Sequence, residues 1–139
     1  MVTFRTPTGP TAAVAIRDFV EDAGGAAGLD EQALLRLSLA VEEIAYNIVT
    51  HGYAEAGRQG DIQVQVETHP GRITVTLEDQ GIAFDPSVRP PPSKTDLAQA
   101  LEKRLPGGLG LFLALRSLDS FHYERSHGRN RNILEIRFP

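Results

Sequence analysis

The sequence predicts an α+β fold, a two-layer α/β sandwich in which a mixed, mostly antiparallel sheet carries its helices on one face. Three observations predict it. Residues 34–48 bear an apolar stripe of helical period, residues 62–77 bear two period-two stretches joined by a turn signal, and the last twenty residues form a second pair of strand-like arms. Strands grouped in hairpins, with helices set apart from them, make α+β the economical architecture. The 139 residues amount to one domain, spanning 1–139, with enough chain to bury a core.

The elements follow in order. Residues 2–6 alternate weakly and stop at Pro7, a short edge strand. Ala13, Ile16, Val20 and Ala23 mark one face of a helix over 10–23, and Gly24-Gly25 reads as its end. Asp30 can cap a second helix whose first turn carries Glu31. Leu34, Leu37, Val41, Ile44 and Ile48 follow at steps of three and four, and Gly52 reads as the C-cap after about five turns.

Ile62, Val64 and Val66, then Ile73, Val75 and Leu77, alternate with polar residues around the turn signal His69-Pro70-Gly71-Arg72, giving an antiparallel hairpin. Residues 80–95 are irregular and rich in proline, and a short helical stretch runs from Asp96 to Arg104. Pro106-Gly107-Gly108-Leu109-Gly110 then opens an apolar helix, an arrangement suited to anions. Residues 118–126 and 133–138 form the last hairpin, with Gly128-Arg129-Asn130 as its turn.

Composition narrows the function classes. A net charge of −4 without a basic stripe argues against direct nucleic-acid binding. Arg125, Arg129, Arg131 and His127 cluster at the last hairpin and read as a solvated tip. The absence of cysteine excludes disulfides, thiolate metal sites and thiol nucleophiles. Neither a signal-peptide run nor a membrane-spanning stretch is visible, so a cytoplasmic protein without membrane attachment is expected.

Three short motifs can carry chemistry. Glu43 and Asn47 lie four apart and share a helix face, with Arg36, Ala40 and His51 along it. An amide oxygen can ligate Mg²⁺ while phosphates and waters fill the octahedron, and a carboxylate one turn away can orient or deprotonate a nucleophile. Asp79-Gln80-Gly81 ends a strand, where the carboxylate can accept from an exocyclic amine and Gly81 lets a ring approach the backbone. Gly107-Gly108-Leu109-Gly110 can offer amides to phosphates, although it lacks the Lys-Ser/Thr of a P-loop. Each also has an ordinary reading: a polar helix face, a strand-end turn, a flexible tether. The four histidines lack metal-ligand spacing; His69 and His127 read as exposed turn residues and His51 as a residue at the rim of the site.

In combination the motifs say more. Glu43-x-x-x-Asn47, Asp79-x-Gly81-x-x-Phe84-Asp85-Pro86 and Gly107-Gly108-Leu109-Gly110-Leu111 occur in that order on a helix, a strand end and a helix start. This resembles the N, G1 and G2 boxes of the GHKL ATPases, the Bergerat or histidine-kinase-like fold, and within them the bacterial anti-sigma factors that act as serine-protein kinases. The resemblance covers nearly the whole chain. It implies ATP and Mg²⁺ as cofactors, with Asn47 on the metal, Asp79 on adenine N6, Gly81 beside the base, and Gly107, Gly108, Leu109 and Gly110 at the phosphates. It implies that residues 86–106 form an ATP lid, with Lys94, Lys103 and Arg104 within reach of phosphate, and that Glu43 is the general base towards a serine.

The partners it implies are a sigma factor and an anti-sigma-factor antagonist protein, and homodimers are common in the family. One departure stands out: the small polar pair that relatives carry behind the adenine is replaced by Gly128-Arg129-Asn130-Arg131-Asn132. Two other readings use the same boxes: a nucleotide-regulated protein-binding switch without kinase activity, and the catalytic domain of a histidine kinase, for which the chain lacks a helical pair bearing a phosphoacceptor histidine.

Overall fold

The computed structural model describes residues 1–88 and 109–139. The helical stretch expected at 96–104, most of the expected lid, its Lys94, Lys103 and Arg104, and Gly107 and Gly108 lie outside the described residues. Among the described residues five strands form a single antiparallel sheet in the order β1-β2-β3-β5-β4, from β1 (Val2–Pro7), β2 (Asp61–His69), β3 (Arg72–Asp79), β4 (Ser120–Ser126) and β5 (Arg129–Arg137). The expected two-layer α+β sandwich is what the chain forms.

The period-two pattern decides which face of the sheet is covered. Ile62, Val64, Val66, Ile73, Val75, Leu77, Leu134 and Ile136 are all buried, and they form one core with Ile16 and Val20 of α1 (Ala12–Ala26) and Leu37, Val41 and Ile44 of α2 (Glu31–Asn47). The intervening Gln63, Gln65, Thr74 and Glu78 stay partly accessible on the other face. Asp30 caps α2 as expected, its side chain accepting from the Ala33 amide at 2.8 Å.

Three expectations about element ends are corrected. Gly24 and Gly25 do not end α1, which runs on to Ala26; a Cβ on Gly24 would lie 2.8 Å from Leu34 Cδ1, so the glycine serves the close approach of α1 and α2. Gly52 does not cap α2. The α-helix stops at Asn47 and continues as a π-helical turn over Ile48–Ala54, with Gly52 buried inside it. The last hairpin turns at His127-Gly128, with φ of 55° and 76°, so Arg129 and Asn130 already belong to β5. A further helix, α3 (Leu109–Ser117), packs on α2 through Leu111 and Ala114, and Arg36 Nη1 donates to the Ser117 carbonyl at 2.9 Å.

Candidate nucleotide site

Asp79 ends β3 on the covered face, paired in register with Ile62 and Asn130, and is 3% exposed. Its Oδ1 accepts from the Gly81 amide and from Asn130 Nδ2, both at 2.9 Å, while no hydrogen bond from the described residues reaches Oδ2. Burial pushes the carboxyl above the ordinary aspartate value, and the hydrogen bonds from Asn130 and Gly81 and the charge of Arg125 pull it back part of the way.

The turn after Asp79 is held by the π-helical turn. A Cβ on Gly81 would lie 2.5 Å from the Gly52 carbonyl oxygen, which itself accepts from the Ile82 amide at 3.0 Å. The hydroxyl of buried Tyr53 donates to the Asp61 carbonyl at 3.0 Å and accepts from the Gln80 amide at 2.7 Å. His51, from the same turn, stacks on Phe84 at 5.3 Å between ring centroids and bonds Glu55 at 2.9 Å through Nδ1.

Asn130 is the residue that the sequence reading took for a turn. Its amide nitrogen reaches Asp79 Oδ1, the Gly81 carbonyl at 3.3 Å and the Ile82 carbonyl at 2.9 Å. Its carbonyl oxygen accepts from the Tyr123 hydroxyl and, at 2.8 Å, from Arg125 Nη1. Arg125 is exposed beside the His127-Gly128 turn, as expected, and it also donates to the Gly81 carbonyl at 3.2 Å. Arg129 and Arg131 behave as surface residues, paired with Glu78 at 3.3 Å and Glu124 at 2.7 Å. A sequence signal for Asn130 existed: Asn130, Asn132, Leu134 and Ile136 fall on one face of a strand, and two asparagines occupy positions where that face should be apolar.

On the helix side, Asn47 is 1% exposed. Its Nδ2 donates to the Glu43 carbonyl at 2.7 Å, and its Oδ1 is buried with no hydrogen-bond partner among the described residues. An orphaned buried acceptor costs about 1–3 kcal/mol, and an oxygen in that state suits a hard cation. Among the described residues no group of three or more His, Cys, Asp or Glu could hold a metal.

Glu43 is half-buried one turn earlier, and burial first, then the neighbouring Glu42, pushes its carboxyl above the ordinary glutamate value. Gly110, in the first turn of α3, lies against that carboxylate: an added Cβ would be 2.6 Å from Glu43 Oε1. Of the expected glycine-rich helix start, Leu109 and Gly110 are among the described residues, in the first turn of α3. A cleft of about 490 Å³ lies beside the Asp79 turn, lined by Arg5, Arg58, Asp61 and Glu78 among others, and does not include Glu43 or Asn47.

Comparison with known proteins bears on the family of the chain. The chain is 29% identical over 93 residues to the serine-protein kinase RsbW of Halalkalibacterium halodurans, covering 66% of this chain and 56% of that protein. It is 31% identical over 94 residues to the serine-protein kinase RsbW of Listeria monocytogenes, covering 67% and 59%. The chain thus spans little more than half the length of these relatives. Among solved structures it resembles the RsbU and RsbW domains of a Mycobacterium tuberculosis protein, with a TM-score of 0.66 at 18% identity over 99% of this chain and 33% of that one. It also resembles the SiaB–SiaC complex from Pseudomonas aeruginosa, with a TM-score of 0.58 at 16% identity over 98% and 89% of the two chains. At these identities the structural likeness is one of fold. Residues 6–138 match the family described as the histidine kinase-like ATPase domain, and the chain belongs to that family.

Proposed function

We propose that this domain binds Mg²⁺–ATP and transfers the γ-phosphoryl group to a serine of an anti-sigma-factor antagonist protein, and that it sequesters a sigma factor. The observation that carries the reading is the pair on α2: a buried Asn47 oxygen without a partner among the described residues, and one turn away a carboxylate with a raised proton affinity beside the opening turn of α3. The serine-protein kinases among its relatives support the same activity.

In this reading Asp79 accepts from adenine N6 through Oδ2, Gly81 leaves the base room, and the opening turn of α3 at Gly110 lies on the phosphate side. Asn47 would hold Mg²⁺, which supplies charge neutralisation at the phosphates. The serine oxygen bonds to the γ-phosphorus as the bond to the ADP oxygen breaks, and the serine proton passes to Glu43. Phosphoryl transfer asks mainly for positioning and charge stabilisation, so this sparse set of residues suffices. Glu43 separates this reading from a nucleotide-regulated switch without kinase activity, because only the kinase needs the carboxylate.

The test is calorimetric binding of Mg²⁺–ATP to the wild type and to Asn47→Ala, followed by transfer of labelled phosphate to serine-bearing antagonist candidates by the wild type and Glu43→Gln. Micromolar binding is expected, lost in Asn47→Ala, with transfer lost in Glu43→Gln while binding is kept. Absence of ATP binding by the wild type would overturn the nucleotide reading. Transfer that survives Glu43→Gln undiminished would remove Glu43 as the base.

A further inference from the structure

The outer face of α2 carries large apolar side chains that lie open to solvent. Leu35, Leu39 and Tyr46, with Leu113 of α3, are between 42% and 59% exposed, and they make up half of the large apolar side chains exposed among the described residues. Single exposed leucines are ordinary on a protein surface, whereas a contiguous group marks an interaction site. Helix geometry sets this group beside Glu43. At about 100° per residue, Leu39 stands about 40° round α2 from Glu43 on one side and Asn47 about 40° on the other, with Tyr46 and Leu35 further round on the Leu39 side. Glu43 thus divides the helix between the side that bears Asn47 and an apolar side. The other helix extends the apolar side. Gly110 lies against the Glu43 carboxylate and the Ser117 carbonyl accepts from Arg36, so α2 and α3 run antiparallel and residue 113 comes level with residue 40. Ala114 is buried there, while Leu113 stays exposed next to the turn that holds Leu39. On the far flank the ion pair of Arg17 with Glu42, at 3.1 Å, bounds the patch.

We infer that Leu35, Leu39, Tyr46 and Leu113 form the docking surface for the phosphoacceptor protein, which presents its serine to Glu43 from a segment with apolar side chains beside that serine. The inference rests on the kinase reading above and names what that site accepts. Continuity with Glu43 decides the occupant. A serine that gives its proton to the Glu43 carboxylate must come within hydrogen-bond distance of it. The chain on either side of that serine then covers the neighbouring turns of α2 and α3, where Leu39, Tyr46 and Leu113 stand. Apolar side chains in that segment take these three out of water, which is the favourable term for docking. Charge sets a second condition. Glu42 and Glu43 place two carboxylates at the edge of the patch and Arg17 answers one of them, so acidic side chains beside the serine are repelled.

The experiment uses three synthetic peptides, each with one central serine flanked by leucine, by glutamine or by glutamate. Transfer from labelled Mg²⁺–ATP is measured for the wild type, Leu39→Gln, Tyr46→Gln and Leu113→Gln, with thermal melting and the Kd for ATP of each protein. Glutamine is a good helix former, so these surface changes leave α2 and α3 intact. The wild type should show a KM for the leucine-flanked peptide about tenfold below that for the glutamine-flanked one, with the glutamate-flanked one poorest. Each variant should raise the KM for the leucine-flanked peptide about tenfold while kcat and the Kd for ATP move less than about twofold. Val2→Gln, which removes a similarly exposed apolar side chain from β1, should change none of these. A KM for the leucine-flanked peptide kept within about twofold in all three variants overturns the docking role and leaves the kinase reading standing. Transfer to none of the peptides by a wild type that binds ATP does the same. Loss of kcat together with lowered melting assigns the side chains to the fold and overturns the role as well. A dimer in sedimentation that the same substitutions break makes the patch a contact between two copies of this chain, and overturns it too. A wild type that binds no ATP overturns the kinase reading, and this inference with it.

Discussion

The Cα of Gly110 sits against the carboxylate of Glu43, so that a methyl group there would lie 2.6 Å from Oε1, 2.9 Å from Cδ and 3.1 Å from Oε2. The atom that must give way is the end of a flexible side chain, which makes the move cheap for the fold and costly for aim. Gly110→Ala should therefore fold normally, helped by up to about 1 kcal/mol of helix propensity, while Glu43 is displaced. Phosphotransfer should fall by about 10²-fold or more, the scale of general-base catalysis, with the Kd for ATP changed only a few-fold. Comparing single-turnover rates with calorimetric affinities checks it; equal loss in both would contradict it.

Gly81→Ala is a different case. Its added methyl would meet the Gly52 carbonyl oxygen at 2.5 Å, and backbone cannot swing aside. A loss of about 1–3 kcal/mol is expected from overpacking at such a contact, together with weakened ATP binding, because the Asp79 turn and the π-helical turn must part. Urea denaturation alongside nucleotide titration reads both.

Asn130→Ala removes the donor to Asp79 and strands the Tyr123 and Arg125 groups that bond its oxygen. Losing a hydrogen bond to a charged group costs about 1.5–3 kcal/mol. Asp79, already raised by burial, should rise further without this donor. ATP affinity should therefore fall most steeply on the acid side of its pH profile, where a protonated Asp79 offers the adenine amine one acceptor fewer.

The raised carboxyl of Glu43 predicts a signed effect on stability. A carboxyl whose folded-state value exceeds its unfolded one favours the fold when protonated, and that advantage is lost as pH rises through the folded value. Glu43→Gln escapes the loss. Its melting temperature should match the wild type's in acid below the ordinary glutamate range and exceed it above the raised value. The same raised value should mark the acid limb of the wild-type transfer rate, since the base acts only when deprotonated. A melting difference that does not vary with pH would contradict the assignment.

Much of this was legible in the sequence, for a physical reason: the core faces follow strict periods. Val64, Val75, Leu37 and Val41 repeat with the geometry of the elements that bury them, and Asp30 caps the helix that it precedes. What misled were residues whose local preference was overridden by a tertiary neighbour. Gly24 looked like a helix end and is a contact with Leu34; Asn130 looked like a turn and is a buried partner of Asp79. Arg125 could not be told from Arg129 or Arg131 by composition, because only strand register brings it to Gly81. Glu43 and Asn47 were readable as a pair, but not the orphaned oxygen of Asn47, which depends on what packs around it.

The π-helical turn over Ile48–Ala54 fixes the angular phase between the two halves of the site. Upstream of it α2 presents Glu43 and Asn47; within it Gly52 and Tyr53 grip the turn that carries Asp79. Each residue of an α-helix advances the chain by about 100°, so deleting one residue from this turn would swing Gly52 and Tyr53 by roughly that angle away from Gly81 and Gln80. The surplus residue in that turn keeps the helix and the sheet end in step, and a register change there would disconnect them without touching a single site side chain.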